Sequence, residues 1–115
     1  MIGTIKTIIY PVKDLAKAKA FYQQLLGIEP TTDAPYYVGF KIGDLDIGLD
    51  PNGHNNGMTG PVSYWQVTNI KESLQQLLAA GAQTQHEAKD VGGGMLIATV
   101  LDADGNTIGL MQLPQ

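Results

Sequence analysis

The sequence has no cysteine, only two histidines, and little charge or aromatic content: 16% charged and 7% aromatic residues in a chain of 115. Without cysteine there is no disulfide, no thiolate nucleophile and no cysteine-ligated zinc. Two histidines give little from which to build a Ser-His-Asp set. Basic residues are also scarce. Seven Lys and Arg face eleven Asp and Glu, for a formal charge of −4. That balance argues against general nucleic-acid binding, which needs a positive surface to displace counterions from phosphates. No apolar run approaches the roughly 20 residues that span a bilayer, so no membrane association is expected. The opening MIGTIKTIIY lacks a basic region followed by a long apolar stretch. It predicts no signal peptide, and the cytoplasm is the expected compartment.

What the chain has in excess is glycine. Fourteen of 115 residues is about 12%, against a usual level of about 7%. Glycine costs backbone entropy, so a surplus marks turns, bulges or places where something approaches the backbone closely. The length suits one domain, expected over residues 1–115, that can build a core without staples.

The pattern along the chain predicts a repeat. Residues 4–12 are rich in β-branched side chains and read as a strand, with Pro11 marking an edge or an end. Asp14 is a helix N-cap for residues 15–26, and Gly27 is a stop. Leu15, Ala18, Phe21, Tyr22, Leu25 and Leu26 form the apolar stripe of that helix. Residues 36–42 and 45–50 read as a hairpin turning at Gly43-Asp44. The segment PNGHNNGMTG, residues 51–60, is the one clear linker. Then the order restarts: a strand over 62–68, a helix from Ile70 to Ala80 capped by Asn69 with Glu72, and strands over 95–101 and 107–113. Val12-Lys-Asp-Leu15 matches Val67-Thr-Asn-Ile70. Gln23-Gln-Leu-Leu26 matches Gln75-Gln-Leu-Leu78, and Asp46-Ile-Gly-Leu49 matches Thr107-Ile-Gly-Leu110. Such self-similarity suggests a duplicated unit. Module 1 is expected at about 1–52, the linker at 53–60 and module 2 at about 61–115. A single helix covers only one face of each sheet and leaves the other for a ligand or partner.

Strand alternation assigns the faces. With two turn residues, 42 pairs with 45 and 39 with 48. Tyr36, Val38, Phe40, Ile42, Leu45, Ile47 and Leu49 fall on the core face. Tyr37, Gly39, Lys41, Asp46, Gly48 and Asp50 fall on the open face, where nothing is expected to rise from the sheet at Gly39 and Gly48. In the second half Trp65, Ile108 and Leu110 are core, and Val62, Tyr64, Gln66, Gly109 and Met111 face the other way. Tyr37 and Tyr64 are suited to stacking on a flat ligand, and Met111 to adapting its shape. Asp46 and Asp50 favour a cationic ligand, with Lys41 offsetting one of them.

The remaining polar features have plain readings. His54 reads as a solvated loop histidine, and His86-Glu87 as part of a loop or strand whose adjacent side chains point apart. Asp102, Asp104 and Gly105 look like a cation-binding loop but lack the carboxylates and distant Glu of an EF-hand, so a hairpin turn is the better reading. Gly92-Gly-Gly94 lacks the Lys-Ser/Thr of a phosphate loop and reads as a flexible cavity rim or a plain loop.

The duplicated βαβββ order, the segment PVKDLAKAKAFYQQLLGIEP and the ending DADGNTIGLMQ resemble the vicinal-oxygen-chelate superfamily of glyoxalases, bleomycin-resistance proteins and extradiol dioxygenases. The resemblance covers nearly the whole chain. It implies an α+β fold of two βαβββ modules, with curved mixed sheets around a concave cleft, and a homodimer. Enzymes of that superfamily hold a divalent metal that chelates two substrate oxygens. The resemblance places the metal positions of this chain at Thr7, Gly48, Val62 and Gly109, none a good donor. The function it implies here is metal-independent binding of a small, aromatic or cationic molecule, as in drug resistance by sequestration, with no cofactor. Expected ligand contacts are Tyr37, Lys41, Asp46, Asp50, Tyr64, Gln66 and Met111. The alternative is a glyoxalase-like lyase or dioxygenase with a metal held at displaced positions.

Overall fold

The computed structural model describes residues 2–114. Ten elements of regular strand and α-helix follow one another: β1 (Ile2–Pro11), α1 (Leu15–Leu26), β2 (Thr32–Ala34), β3 (Tyr37–Ile42), β4 (Leu45–Asp50), β5 (Val62–Val67), α2 (Ile70–Ala79), β6 (Gln83–Asp90), β7 (Leu96–Leu101) and β8 (Thr107–Gln112). The result is an α+β fold with mixed parallel and antiparallel pairing. Two compact units are present. One is Thr7–Val62; the other joins the chain up to Lys6 with everything from Ser63 on. Among the described residues, no helix is long and apolar enough to cross a membrane.

In the unit Thr7–Val62 the strands lie in the order β2-β3-β4-β1. β3 and β4 pair antiparallel in the register the two-residue turn dictates: Ile42 with Leu45, Lys41 with Asp46 and Gly39 with Gly48. β1 runs parallel to β4. Asp14 caps α1 by accepting the Lys17 N–H at 3.0 Å. Gly27 ends it in the left-handed region, φ 69°, where a side chain is disfavoured. Val38, Phe40, Ile47 and Leu49 form the buried core, with Leu15, Ala18, Tyr22 and Leu26 of α1 packed on it. Each such fully buried apolar side chain contributes about 1.5–3 kcal/mol.

The sequence reading needs correction at the margins of this core. Tyr36 is 71% exposed, because Pro35 and Tyr36 form the turn that precedes β3. Ile42 is 42% exposed at the hairpin end. Phe21 and Leu25, assigned to the apolar stripe of α1, are 62% and 63% exposed. The helix buries a narrower face than its composition suggests.

In the other unit the order is β1-β5-β8-β7-β6. Asn69 caps α2 by accepting the Glu72 N–H at 3.1 Å, and the Gln112 side chain accepts the N–H of Ile70 at 2.8 Å. Val67, Ile70, Ala98 and Leu110 are its buried core, with Trp65 packed against them. The strands β2 and β6 had no clear signature in the sequence. β6 is almost wholly exposed and carries two register irregularities against β7. It reaches β7 through a tight turn over Gly92-Gly-Gly94, all three at positive φ (124°, 63° and 88°), so these glycines are required by the turn geometry. The β7–β8 hairpin is fastened by Asp102, whose carboxylate accepts from the backbone of Asp104 and Asn106 and from the Asn106 amide at 2.8–2.9 Å. That is the hairpin turn expected there. His54 lies on an exposed single turn of 3₁₀ helix, His54–Asn56.

Candidate functional site

The face of β1, β3 and β4 turned away from α1 gathers six of the expected residues. Parallel pairing sets Thr7 beside Asp46, Ile9 beside Gly48 and Pro11 beside Asp50. Lys41 lies across from Asp46, its ammonium 3.3 Å from the carboxylate. Asp50 is half-buried, and its Oδ1 accepts the N–H of Asn52 at 2.8 Å. Across the middle runs a row of Ile9, Gly48, Gly39 and Thr32, each the pairing partner of the next.

Tyr37 lies over that row, which overturns the expectation that nothing rises from the sheet at its two glycines. A β-carbon added to Gly39 would stand 3.1 Å from Tyr37 Cε2. One added to Gly48 would stand 2.7 Å from Tyr37 Cζ and 2.7 Å from Ile9 Cδ1, and nearer still to the Tyr37 hydroxyl oxygen. Real β-carbons essentially never approach this closely, so Gly48 and the tyrosine ring share a volume that holds only one of them. The geometry has a simple origin. On an antiparallel pair an aromatic side chain reaches its diagonal neighbour two residues along the facing strand, and glycine leaves it room to lie flat. Burial pushes the Tyr37 phenol above its ordinary pKa, and the charges of Asp46 and Asp50 push it further the same way. The hydroxyl is therefore a protonated hydrogen-bond donor at neutral pH.

The second unit repeats the arrangement with a different result. Tyr64 pairs with Gly109, Gly109 with Thr99, and Thr99 with His86. A β-carbon on Gly109 would lie 2.6 Å from Tyr64 Cε1 and 2.7 Å from its Cγ, so this glycine too is covered by an aromatic ring. Here the next residue in the row is not glycine. Thr99 is buried, and its Oγ1 lies 2.8 Å from His86 Nδ1. Gln66 pairs with Met111; Gln66 and Tyr64 are half-buried, while Met111 is 7% exposed and sits within the packed part of the sheet. Val62 is likewise buried. Thr99 carries no signal in the sequence, and His86 is read there only as part of a loop or strand with Glu87. His86 lies in a polar segment without alternation, and its neighbour across the strands is revealed only by the pairing.

The metal implied by the resemblance does not fit these residues. Thr7 offers one hydroxyl, Val62 none, and Gly48 and Gly109 have no side chain, their places being taken by tyrosine rings. Asp46, beside Thr7, is engaged with Lys41. Among the described residues no group of three or more His, Asp or Glu stands together as a cation site.

The sequence model of the Glyoxalase/Bleomycin resistance protein/Dioxygenase superfamily matches residues 4–110. No curated protein matches the sequence. Among solved structures, a glyoxalase/bleomycin resistance protein/dioxygenase superfamily member from Vibrio splendidus superposes with a TM-score of 0.72 at 18% identity, covering 98% of this chain and 100% of that one. A methylmalonyl-CoA epimerase from Streptomyces coelicolor, solved with 2-nitronate-propionyl-CoA, gives a TM-score of 0.74 at 14% identity, over 97% and 95% of the two chains. The Mn(II)-bound glyoxalase from Novosphingobium aromaticivorans gives 0.69 at 20% identity over 96% of this chain and 39% of that one. At these identities the likeness establishes the fold.

Proposed function

The chain belongs to the Glyoxalase/Bleomycin resistance protein/Dioxygenase superfamily, and on that premise we propose that it binds a small organic molecule without a resident metal ion. The observation that carries this reading is the Tyr37 hydroxyl lying where a side chain of residue 48 would begin. By the family resemblance residue 48 stands at a metal-ligand position of the metalloenzymes, and here a phenol fills the place of its side chain. The face around it offers what a small-molecule site needs: one aromatic ring, one hydroxyl donor, and charge from Asp46, Asp50 and Lys41. Two carboxylates against one ammonium favour a cationic or neutral ligand over an anion. Sequestration of such a molecule, as in drug resistance, is the most concrete form of this function. Tyr64, Gln66 and Met111 are proposed as ligand contacts on the second unit by itself, and a homodimer as the assembly.

Three measurements test it. Metal analysis of the purified protein, with titration by Ni²⁺, Zn²⁺, Mn²⁺ and Fe²⁺, should find no stoichiometric, tightly held ion. Finding one would favour the alternative, a lyase or dioxygenase with displaced ligands. A thermal-shift screen of aromatic cations and neutral aromatics should yield hits, since a ligand at about 100 times its dissociation constant adds roughly 2.7 kcal/mol of stability. Asp50→Asn should weaken the cationic hits. Light scattering should return the mass of two chains, and a monomer at every concentration would remove the dimer from the proposal.

A further inference from the structure

We infer that the Gly39–Gly48 floor is a slot shaped for a six-membered aromatic ring bearing a neutral or cationic hydrogen-bond donor, and that Tyr37 occupies this slot in the unliganded chain. The inference deepens the binding function proposed above by naming a ligand class and the residue it displaces. It rests on one asymmetry between the two halves. In the second half the ring of Tyr64 covers one glycine, Gly109, and the row is then closed by Thr99 and His86. In the first half two glycines lie side by side, Gly39 against Gly48. The two strands therefore contribute no side chain of their own at these two positions. Adjacent strands stand about 4.8 Å apart, which gives a flat ring room to rest. The Tyr37 ring makes use of that room, with Cε2 over Gly39 and Cζ and the hydroxyl over Gly48.

The walls define what else the slot accepts. Ile9 closes one end, its Cδ1 2.7 Å from the place of a Gly48 β-carbon, and the Thr32 side chain approaches the place of a Gly39 β-carbon to 3.6 Å at the other. Asp46 and Asp50 stand on either side of Gly48 along β4, on the same face. A group at the Gly48 end of the ring thus lies between two carboxylates, with Lys41 offsetting Asp46. A hydroxyl, an amine or an amidinium suits that end. A carboxylate does not.

Tyr37 is well placed to yield. It is the first residue of β3, next to the exposed turn at Pro35 and Tyr36, and it is only half-buried. Rotation about its first side-chain torsion lifts the ring from the floor without moving the sheet. A ligand ring then takes its place on the floor, and the displaced tyrosine stays at the edge as the aromatic ring and hydroxyl of the site.

Removing the occupant is the direct test. In Tyr37→Ala, phenol and benzamidine should each raise the melting temperature by roughly 4 °C or more at saturation. Benzoate should bind about tenfold more weakly than phenol, because its charge faces Asp46 and Asp50. Filling the floor should abolish the effect: in Tyr37→Ala with Gly48→Val, neither phenol nor benzamidine should stabilise. No stabilisation of Tyr37→Ala, or equal stabilisation of the double variant, would overturn the slot. Benzoate binding as well as phenol would overturn the ligand class. Should Tyr37→Ala fail to fold, the native chain answers the same question. Phenol should shift the backbone amide resonances of Gly39 and Gly48 and leave those of Gly109 and Thr99 in place; unshifted Gly39 and Gly48 would overturn the proposal. A native ligand from the wider screen that is insensitive to Gly48→Val would leave the binding function standing and remove only the slot.

Discussion

Tyr37 and Gly48 fit only as a pair: the phenol of one fills the volume that any side chain on the other would need. The pairing turns a residue that looks like a gap into a packed position, and it makes a quantitative expectation. Gly48→Ala should destabilise the protein by about 1–3 kcal/mol through overpacking. In a Tyr37→Ala background the same change should cost much less, giving a coupling of about 0.5 kcal/mol or more in a double-mutant cycle read by urea denaturation. Additive changes would mean that the ring does not rest on the glycine in solution.

The Tyr37 phenol supplies a prediction at high pH. Its folded pKa is raised, by burial first and then by Asp46 and Asp50. The contribution to stability is complete below the ordinary value near 10 and is lost as pH rises through the raised folded value, because the unfolded chain gives up its proton first. Tyr22 is raised as well, by burial and then by the nearby Tyr10. Spectroscopic titration of the five tyrosines should therefore show a late fraction, and Tyr37→Phe should remove part of it. A single step at the ordinary tyrosine pKa would contradict the burial seen here.

Asp102 predicts the opposite direction. The side-chain hydrogen bond from Asn106 and then its backbone N–H hold the carboxyl below its ordinary pKa against an opposing effect of desolvation, with lesser help from the backbone of Asp104 and Gly105. The group's contribution is present above the ordinary carboxylate value and is lost as pH falls through the depressed one. Asn106→Ala should move the Asp102 pKa, followed by NMR, back upward. An unchanged value would show that the turn is held by other bonds.

Lys19 on α1 and Asp33 on β2 form an ion pair, with their side chains 32% and 50% exposed. Such pairs contribute little in water, so Asp33→Asn should cost about 0.2–1 kcal/mol, and the difference should fade at about 1 M salt. A larger, salt-insensitive loss would mean that the edge strand depends on this contact for its position.

The parts of the fold that the sequence disclosed are those governed by short-range rules. The Gly43-Asp44 turn fixed the β3–β4 register, and Asp14, Gly27 and Asn69 marked helix ends by their own capping chemistry. The repeated Ile-Gly-Leu located both last strands. β2 and β6 escaped notice for a shared reason. They are edge strands with a largely exposed surface, so Gln83–Asp90 carries no apolar alternation to betray it. Tyr36 was misplaced because Pro35 shifts the strand start by one residue. At the site, alternation put Tyr37, Asp46, Gly48 and Asp50 on one face. Alternation says which way a side chain leaves the strand and nothing about how far it then leans along or across the sheet. That lean decides whether a pair of glycines is an opening or a covered floor.

The cover over Gly48 also constrains what this sequence can become. A lineage that gains a carboxylate at position 48 must displace the ring of residue 37, by rotation or by substitution. Gly109 stands under Tyr64 in the same way, so each half of the duplication carries its own lock. A side chain at either glycine therefore requires the tyrosine above it to swing off the strand or be replaced.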